Sequence, residues 1–407
     1  MLLNNAALSR VVSFADASRI VGEHAASLKP SRPPERVPLL DSLGRVLAEP
    51  VLADRDQPPF PRSTRDGFAC RAADVASGLA LEVIGSIRAG EAMDEAVAAG
   101  KAVEIMTGAP MPAGADCVLM VEHVERAGNK LRPQAGRTIQ SGENLVPQGA
   151  EATAGEVILA PGARIAAAQI AAAAACGYPQ LSVFGRPRVA IVATGDELVE
   201  VDQPPLTRQI RNSNSYSLAA QVISAGGEPV RLPIAHDERG DLETIIRKAL
   251  KSDLLLLSGG VSMGKYDLVE EVLLSLGAEF FFTGALIQPG KPVVFGKLDQ
   301  LYFFGLPGNP VSTMVTFSLF VQTVLGALGG EADRGPRFTE AKLAAEVRVK
   351  TGLTRFLPAR LAELAVEPLA WQGSGDLAST SRSNCFLVVP PDRPVLAAGE
   401  TVTILLA

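Results

Sequence analysis

The sequence predicts a multidomain α/β plus β protein, and three observations carry that reading. At 407 residues the chain exceeds the roughly 100 to 200 residues of one ordinary domain, so two to four domains are expected. Between Arg188 and Gly330, apolar strands alternate with helical segments, the pattern of a parallel-type sheet covered on both faces. Past Gly330 the helical patterns stop, and residues 340–407 show short Val and Leu runs separated by Pro and Gly. That predicts a small, barrel-like all-β domain.

Residues 14–30 follow Ser and Asp with apolar positions at helical spacing, which predicts an amphipathic helix ended by the Pro-rich KPSRPPERVPL. From Val51 to about Glu125, short apolar runs broken by Gly and Pro predict a small domain of strands and turns. The alanine-rich RIAAAQIAAAAACGYPQLSVF is strongly helix-forming, takes Gly177 as its C-cap and is expected to pack back on the N-terminal helix. The α/β block then runs RVAIVATGDEL, a helix from Ser215, GGEPVRLPIA, a helix from Leu242, and DLLLLSGG.

Composition narrows the function classes. With 47% hydrophobic and 20% charged residues, several packed cores are affordable in apolar material and global disorder is excluded. A net charge of −6 argues against a nucleic-acid binder, which needs a basic surface to displace phosphate counterions. Cys70, Cys117, Cys176 and Cys385 form no close sequence pair, and His24, His123 and His236 lie far apart. This removes the disulfide, zinc and Ser-His spacings and leaves carboxylates, lysine and backbone to do the chemistry. No run of about 18 apolar residues and no signal-peptide pattern is seen, so no membrane partner and a cytoplasmic location are expected.

Three loops of the α/β block follow strands, where open parallel sheets bind ligands, and should converge on one crevice. ATGDEL spans Ala193–Leu198, SGGVSMGKYD spans Ser258–Asp267, and GLPGNPVS spans Gly305–Ser312. In the second, glycines permit positive φ and close approach of N–H groups to an oxyanion, although a plain strand-to-helix turn reads the same way. In the third, two prolines fix a rigid turn before a helix capped by Asn309 or Ser312. IQPGKP adds Lys291 as a fixed cation, and Asp196, Glu197, Asp237 and Asp267 offer hard oxygen ligands suited to Mg²⁺.

With these loops stand PPFPRSTRDGFA (58–69), IMTGAPMPAGADCVLMVE (105–122), GENLVPQGAEATAGEVIL (142–159) and RQIRNSNSYSLAAQV (208–222). Their order resembles the MoeA and gephyrin E-domain family of molybdopterin molybdenumtransferases, from about residue 15 to the C-terminus. The resemblance implies a homodimer of four-domain subunits: domain I at 1–50 and 140–186, an inserted small mixed/β domain II at 51–139, a central molybdopterin-binding α/β domain III at 187–330, and a C-terminal β-barrel-like domain IV at 331–407. It implies catalytic roles for Asp66, Thr107, Glu197, Asp237, Asp267 and Lys291, with Glu197, Asp237 and Asp267 also handling metal. Substrate contacts are implied for Ser258, Gly259, Gly260, Ser262, Gly264, Pro307, Gly308, Asn309, Pro310, Arg360 (or the nearby Arg355) and Ser374.

The activity implied is insertion of molybdate into adenylyl-molybdopterin with release of AMP, assisted by Mg²⁺, in active sites shared between the two subunits. A molybdopterin adenylyltransferase and molybdoenzymes are the implied protein partners. Against this stand two alternatives, a molybdopterin adenylyltransferase and a noncatalytic gephyrin-like scaffold. Departures from the family pattern are Pro61, Arg62 and Arg65, which make that loop more basic, Gln288 in place of a first lysine, and Glu151 where Asp is common.

Overall fold

The computed structural model describes residues 10–260 and 268–406. The chain divides into two units, one made of residues 1–48, 161–166 and 180–407, the other of residues 49–160 and 167–179.

In the larger unit a six-stranded sheet runs in the order Glu228–Arg231, Arg188–Ala193, Leu254–Ser258, Leu301–Leu306, Val294–Leu298 and Glu279–Phe282. Side chains alternate across it. Val189, Ile191, Leu254, Leu256 and Phe304 enter one apolar cluster, while Ala190, Val192, Leu255, Leu257 and Phe303 enter the other. Both faces are therefore buried, as near-continuous apolar strands require, and each such leucine contributes about 2 kcal/mol of burial. The first four strands are parallel. The sheet is of the expected parallel type with one reversed strand: Val294–Leu298 runs antiparallel to both neighbours. Only Asp299 and Gln300 separate it from Leu301–Leu306, far too few residues for a parallel crossover.

The chain leaves Arg188–Ala193 through the helix Ser213–Ser224 to the strand on one side. It returns through Arg239–Ala249 to Leu254–Ser258 on the other. This reversal leaves a crevice outside the carboxyl ends of Arg188–Ala193 and Leu254–Ser258, the place where open α/β sheets take ligands.

The N-terminal helix spans Phe14–Ala26, shorter than its apolar pattern suggests, and begins where the Ser13 side chain accepts from the Asp16 N–H. Its buried stripe of Ala17, Ile20, Val21 and Ala25 packs on Gln322–Leu328. The partner belongs to Pro310–Leu328, a 19-residue helical run in which Ser, Thr and Gln interrupt the apolar residues; it is mostly buried and so serves as a core element. Its bulky Phe and Leu side chains offer the helix apolar surface to cover. Residues 338–406 close a five-stranded barrel: Phe338–Leu343 pairs with Thr401–Leu406 and Ala365–Pro368, Thr354–Ala362 pairs with Ala365–Pro368, and Cys385–Val389 pairs with both Thr354–Ala362 and Thr401–Leu406.

The smaller unit holds a six-stranded mixed sheet in the order Cys117–Met120, Gly67–Cys70, Lys101–Ile105, Leu81–Ile87, Lys130–Pro133 and Val124–Ala127. Here the alanine-rich helix, Ala167–Ala175, packs on Val157–Leu159. It ends as expected at Gly177, with φ of 79°, where Tyr178 N–H donates to the Ala173 carbonyl and Gly177 N–H to that of Ala174.

Candidate active site

At the switch point of the larger unit's sheet, a cleft of about 600 Å³ is lined by Thr194, Glu197, Asn212, Asn214, Ser258, Gly259, Pro307 to Pro310, Gly375 and Leu377, among others. That volume suits a cofactor-sized ligand. The three expected loops do converge, and their backbones touch. A Cβ built on Gly308 would lie 3.7 Å from the Gly259 Cα.

Gly259 and Gly260 sit at φ of 91° and 63°. A Cβ on Gly259 would stand 2.5 Å from the Thr194 carbonyl oxygen, and one on Gly260 would stand 2.6 Å from Val269 Cγ2. The glycines are thus required by the packing of this turn against the Thr194 loop, whatever ligand the turn also serves.

Thr194 ties the acidic side of the cleft together. Its hydroxyl donates to Asp237 Oδ1 at 2.8 Å, and the Asp237 N–H donates to Asp196 Oδ1 at 3.2 Å. Glu197 lines the cleft from the same loop. Among the described residues no group of three His, Cys, Asp or Glu side chains assembles a metal site. Two helix N-termini also meet here. Asn212 caps Ser213–Ser224 through Ser215 N–H, and Pro310 opens the long buried helix, so both present partial positive charge to an anion. Asn309 occupies the N-cap position, but its side chain does not cap. Its amide instead donates to Ser374 Oγ at 2.8 Å, and Val311 N–H donates to the Ser374 carbonyl.

Family models match the chain in three successive segments: the MoeA N-terminal region (domain I and II) over residues 12–177, a probable molybdopterin binding domain over 190–327, and the MoeA C-terminal region (domain IV) over 340–407. A molybdopterin molybdenumtransferase of Bacillus subtilis is 34% identical over 384 residues, covering 91% of this chain and 89% of its own. The chain belongs to the MoeA family. A second MoeA-family relative, a molybdopterin molybdenumtransferase of a Nostoc species, is 35% identical over 410 residues, covering 97% of this chain and 93% of its own. The solved structure of a molybdopterin biosynthesis MoeA protein from Pyrococcus horikoshii OT3 superposes with a TM-score of 0.81 at 29% identity, covering 98% and 100% of the two chains.

Against that MoeA frame the expected residues divide into groups. Glu197, Ser258, Gly259, Pro307, Gly308, Asn309 and Pro310 line the cleft, and Ser374 touches it through Asn309. Gly260 completes the turn, Asp237 is held by Thr194, and Lys291 adjoins the lining residue Pro292. Arg360 is not brought to the cleft. It is exposed on the barrel strand Thr354–Ala362, paired across from Glu367, while the Arg355 guanidinium donates to the Lys350 carbonyl. Ser262, Gly264 and Asp267 lie outside the described residues.

In the smaller unit Asp66 and Thr107 meet. Asp66 Oδ1 accepts the Thr107 N–H at 2.7 Å and its hydroxyl at 2.9 Å, and the two donors hold the Asp66 carboxyl below its usual range. Two departures from the family pattern also find each other, since Arg62 pairs with Glu151 at 2.7 Å. The extra positive charge of Arg62 is matched there, at an exposed pair contributing at most about 1 kcal/mol. Sequence reasoning missed Asn212, Ser213 and Asn214. The signal was present in RNSNS, a polar cluster between a strand and a helix facing the crevice.

Proposed function

We propose that this chain inserts molybdenum into the pterin dithiolene: adenylyl-molybdopterin and molybdate give molybdenum cofactor, AMP and water. The observation that carries the reading is the convergence of three loops and two helix N-termini on one cleft, in a chain that matches molybdopterin molybdenumtransferases along almost its whole length. An adenylylated pyrophosphate needs a site that gathers partial positive charge and N–H or O–H donors, and this cleft offers both.

Mg²⁺ is the cation the donor set suits. Glu197, and Asp237 as tethered by Thr194, are hard oxygen donors, and Mg²⁺ is commonly held by one or two carboxylates with substrate phosphates completing its shell. We propose that these two acids hold it together with Asp267. Once bound, the ion supplies charge neutralisation of the pyrophosphate. The chain's own groups do the rest: Lys291 adds a fixed positive charge, the Ser258 hydroxyl and loop amides orient the phosphates, and the Glu197 carboxylate would keep the ion in place beside them. Glu197→Gln should therefore lower turnover sharply, and unchanged turnover would remove that role.

From the family resemblance we further propose a cytoplasmic homodimer in which Asp66 and Thr107 of one subunit serve the cleft of the other. Mass spectrometry of purified protein tests the reaction itself. AMP release from adenylyl-molybdopterin only when molybdate is added supports insertion; AMP release without molybdate, or synthesis of adenylyl-molybdopterin from ATP, supports a different enzyme.

A further inference from the structure

The side-chain amide of Asn214 uses one nitrogen twice. Nδ2 donates to Ser258 Oγ at 2.9 Å and to the Gly308 carbonyl at 2.8 Å. A carbonyl oxygen can only accept, so the orientation of the amide is fixed, with nitrogen toward Gly308. The cost is visible on the other side, where, among the described residues, the buried Asn214 Oδ1 has no hydrogen-bond partner. A buried acceptor left unpaired is destabilising, and its retention calls for a reason. The two groups that Asn214 joins supply one, because they lie 44 and 94 positions away on two different cleft loops, whose backbones meet at Gly259 and Gly308.

The same bond sets the polarity of Ser258. The residue is only 2% exposed, yet it lines the cleft. Its oxygen accepts from Asn214, and among the described residues its own proton has no acceptor. With one lone pair occupied by Asn214, that proton is left for an incoming oxygen.

We infer that Asn214 is a positioning residue for the reaction proposed above: it clamps the Ser258–Gly260 and Pro307–Pro310 loops at their working separation and leaves the Ser258 hydroxyl as a donor to an anionic oxygen of the substrate. The inference rests on that functional reading, and it assigns Asn214 no contact with reacting atoms.

The test compares Asn214→Ala, Ser258→Ala and the double variant with wild type. It measures KM and kcat for molybdate-dependent AMP release, thermal midpoint, and amide hydrogen exchange at the Gly259 and Gly308 loops without substrate. Asn214→Ala should raise KM by about tenfold, the usual size of one or two lost hydrogen bonds, with kcat changed by less than about threefold. Exchange in both loops should quicken. The double variant should be no worse than Asn214→Ala within about twofold, because Ser258 donates productively only when clamped. Effects on KM that multiply, an unchanged KM in Asn214→Ala, or loop exchange equal to wild type would each overturn the inference. A lowered thermal midpoint with KM unchanged would make Asn214 a structural staple and overturn it too. Wild-type protein that released no AMP would sink the reaction instead, while exchange at the two loops would still decide the clamp.

Discussion

Two glycines that meet at the cleft should respond to alanine in opposite ways. Gly259 has φ of 91°, and its Cβ would stand 2.5 Å from the Thr194 carbonyl oxygen. A left-handed conformation costs a non-glycine residue about 1–2 kcal/mol, and forcing a methyl against backbone costs about 1–3 kcal/mol more. Gly259→Ala should therefore lose about 2–5 kcal/mol, which at roughly 2–4 °C per kcal/mol for a unit of this size lowers the thermal midpoint by about 5 °C or more. At Gly308 the nearest atom of the described residues to an added Cβ is 3.7 Å away, an ordinary contact, and its φ is not left-handed. Gly308→Ala should leave the midpoint within about 1 °C. Gly308 lines the cleft, however, so the new methyl should crowd a substrate bound there and weaken adenylyl-molybdopterin binding by about tenfold, the size of a modest steric penalty. Differential scanning calorimetry and equilibrium binding separate the two effects. A Gly259→Ala protein as stable as wild type would refute the turn geometry, and a Gly308→Ala protein with unchanged affinity would refute the placement of substrate against that wall.

Asp66 is held below its usual pKa by Thr107, so its ionised form is stabilised in the fold: that contribution is present above the unfolded value of about 3.9 and is lost as pH falls through the lower folded value. Thr107→Val removes the hydroxyl donor but keeps the N–H, so the acid limb of AMP release should move to higher pH; a pH–rate profile superposing on wild type would contradict this. Thr194→Val deletes the 2.8 Å bond to Asp237 and should raise the Mg²⁺ concentration needed for half-maximal activity several-fold, with an unchanged Mg²⁺ requirement counting against Asp237 as a ligand. Asp66→Ala and Asp267→Ala chains, each inactive alone, should recover about a quarter of wild-type activity when subunits are randomly exchanged, since each mixed C2 dimer has one intact site; no recovery would mean that Asp66 serves its own subunit.

How legible each feature was in the sequence follows from the range of the force behind it. The central sheet could be read because Leu254 to Leu257 and Val189 to Ala193 are apolar on both faces, and only a doubly covered strand tolerates that. The crevice could be read because small residues follow those strands. The reversed strand Val294–Leu298 could not, since a buried run carries no direction; the clue was the Asp299 turn, an Asp at φ of 53°. Asn214 was hidden for another reason. Asn at a helix start reads as a cap, a role that Asn212 fills two residues earlier, whereas the partners of Asn214 are set only by tertiary folding. The Arg62–Glu151 pair, 89 positions apart, was invisible on the same ground: each looked like an isolated departure until the fold brought them together.

Molybdenum insertion is tested most directly by one measurement: AMP released from adenylyl-molybdopterin by the purified full-length protein, followed by mass spectrometry with and without molybdate in the presence of Mg²⁺. Stoichiometric AMP appearing together with molybdenum-bearing pterin, and only when molybdate is present, is the predicted result. AMP release at the same rate without molybdate, or intact adenylyl-molybdopterin after incubation with it, would contradict the assignment.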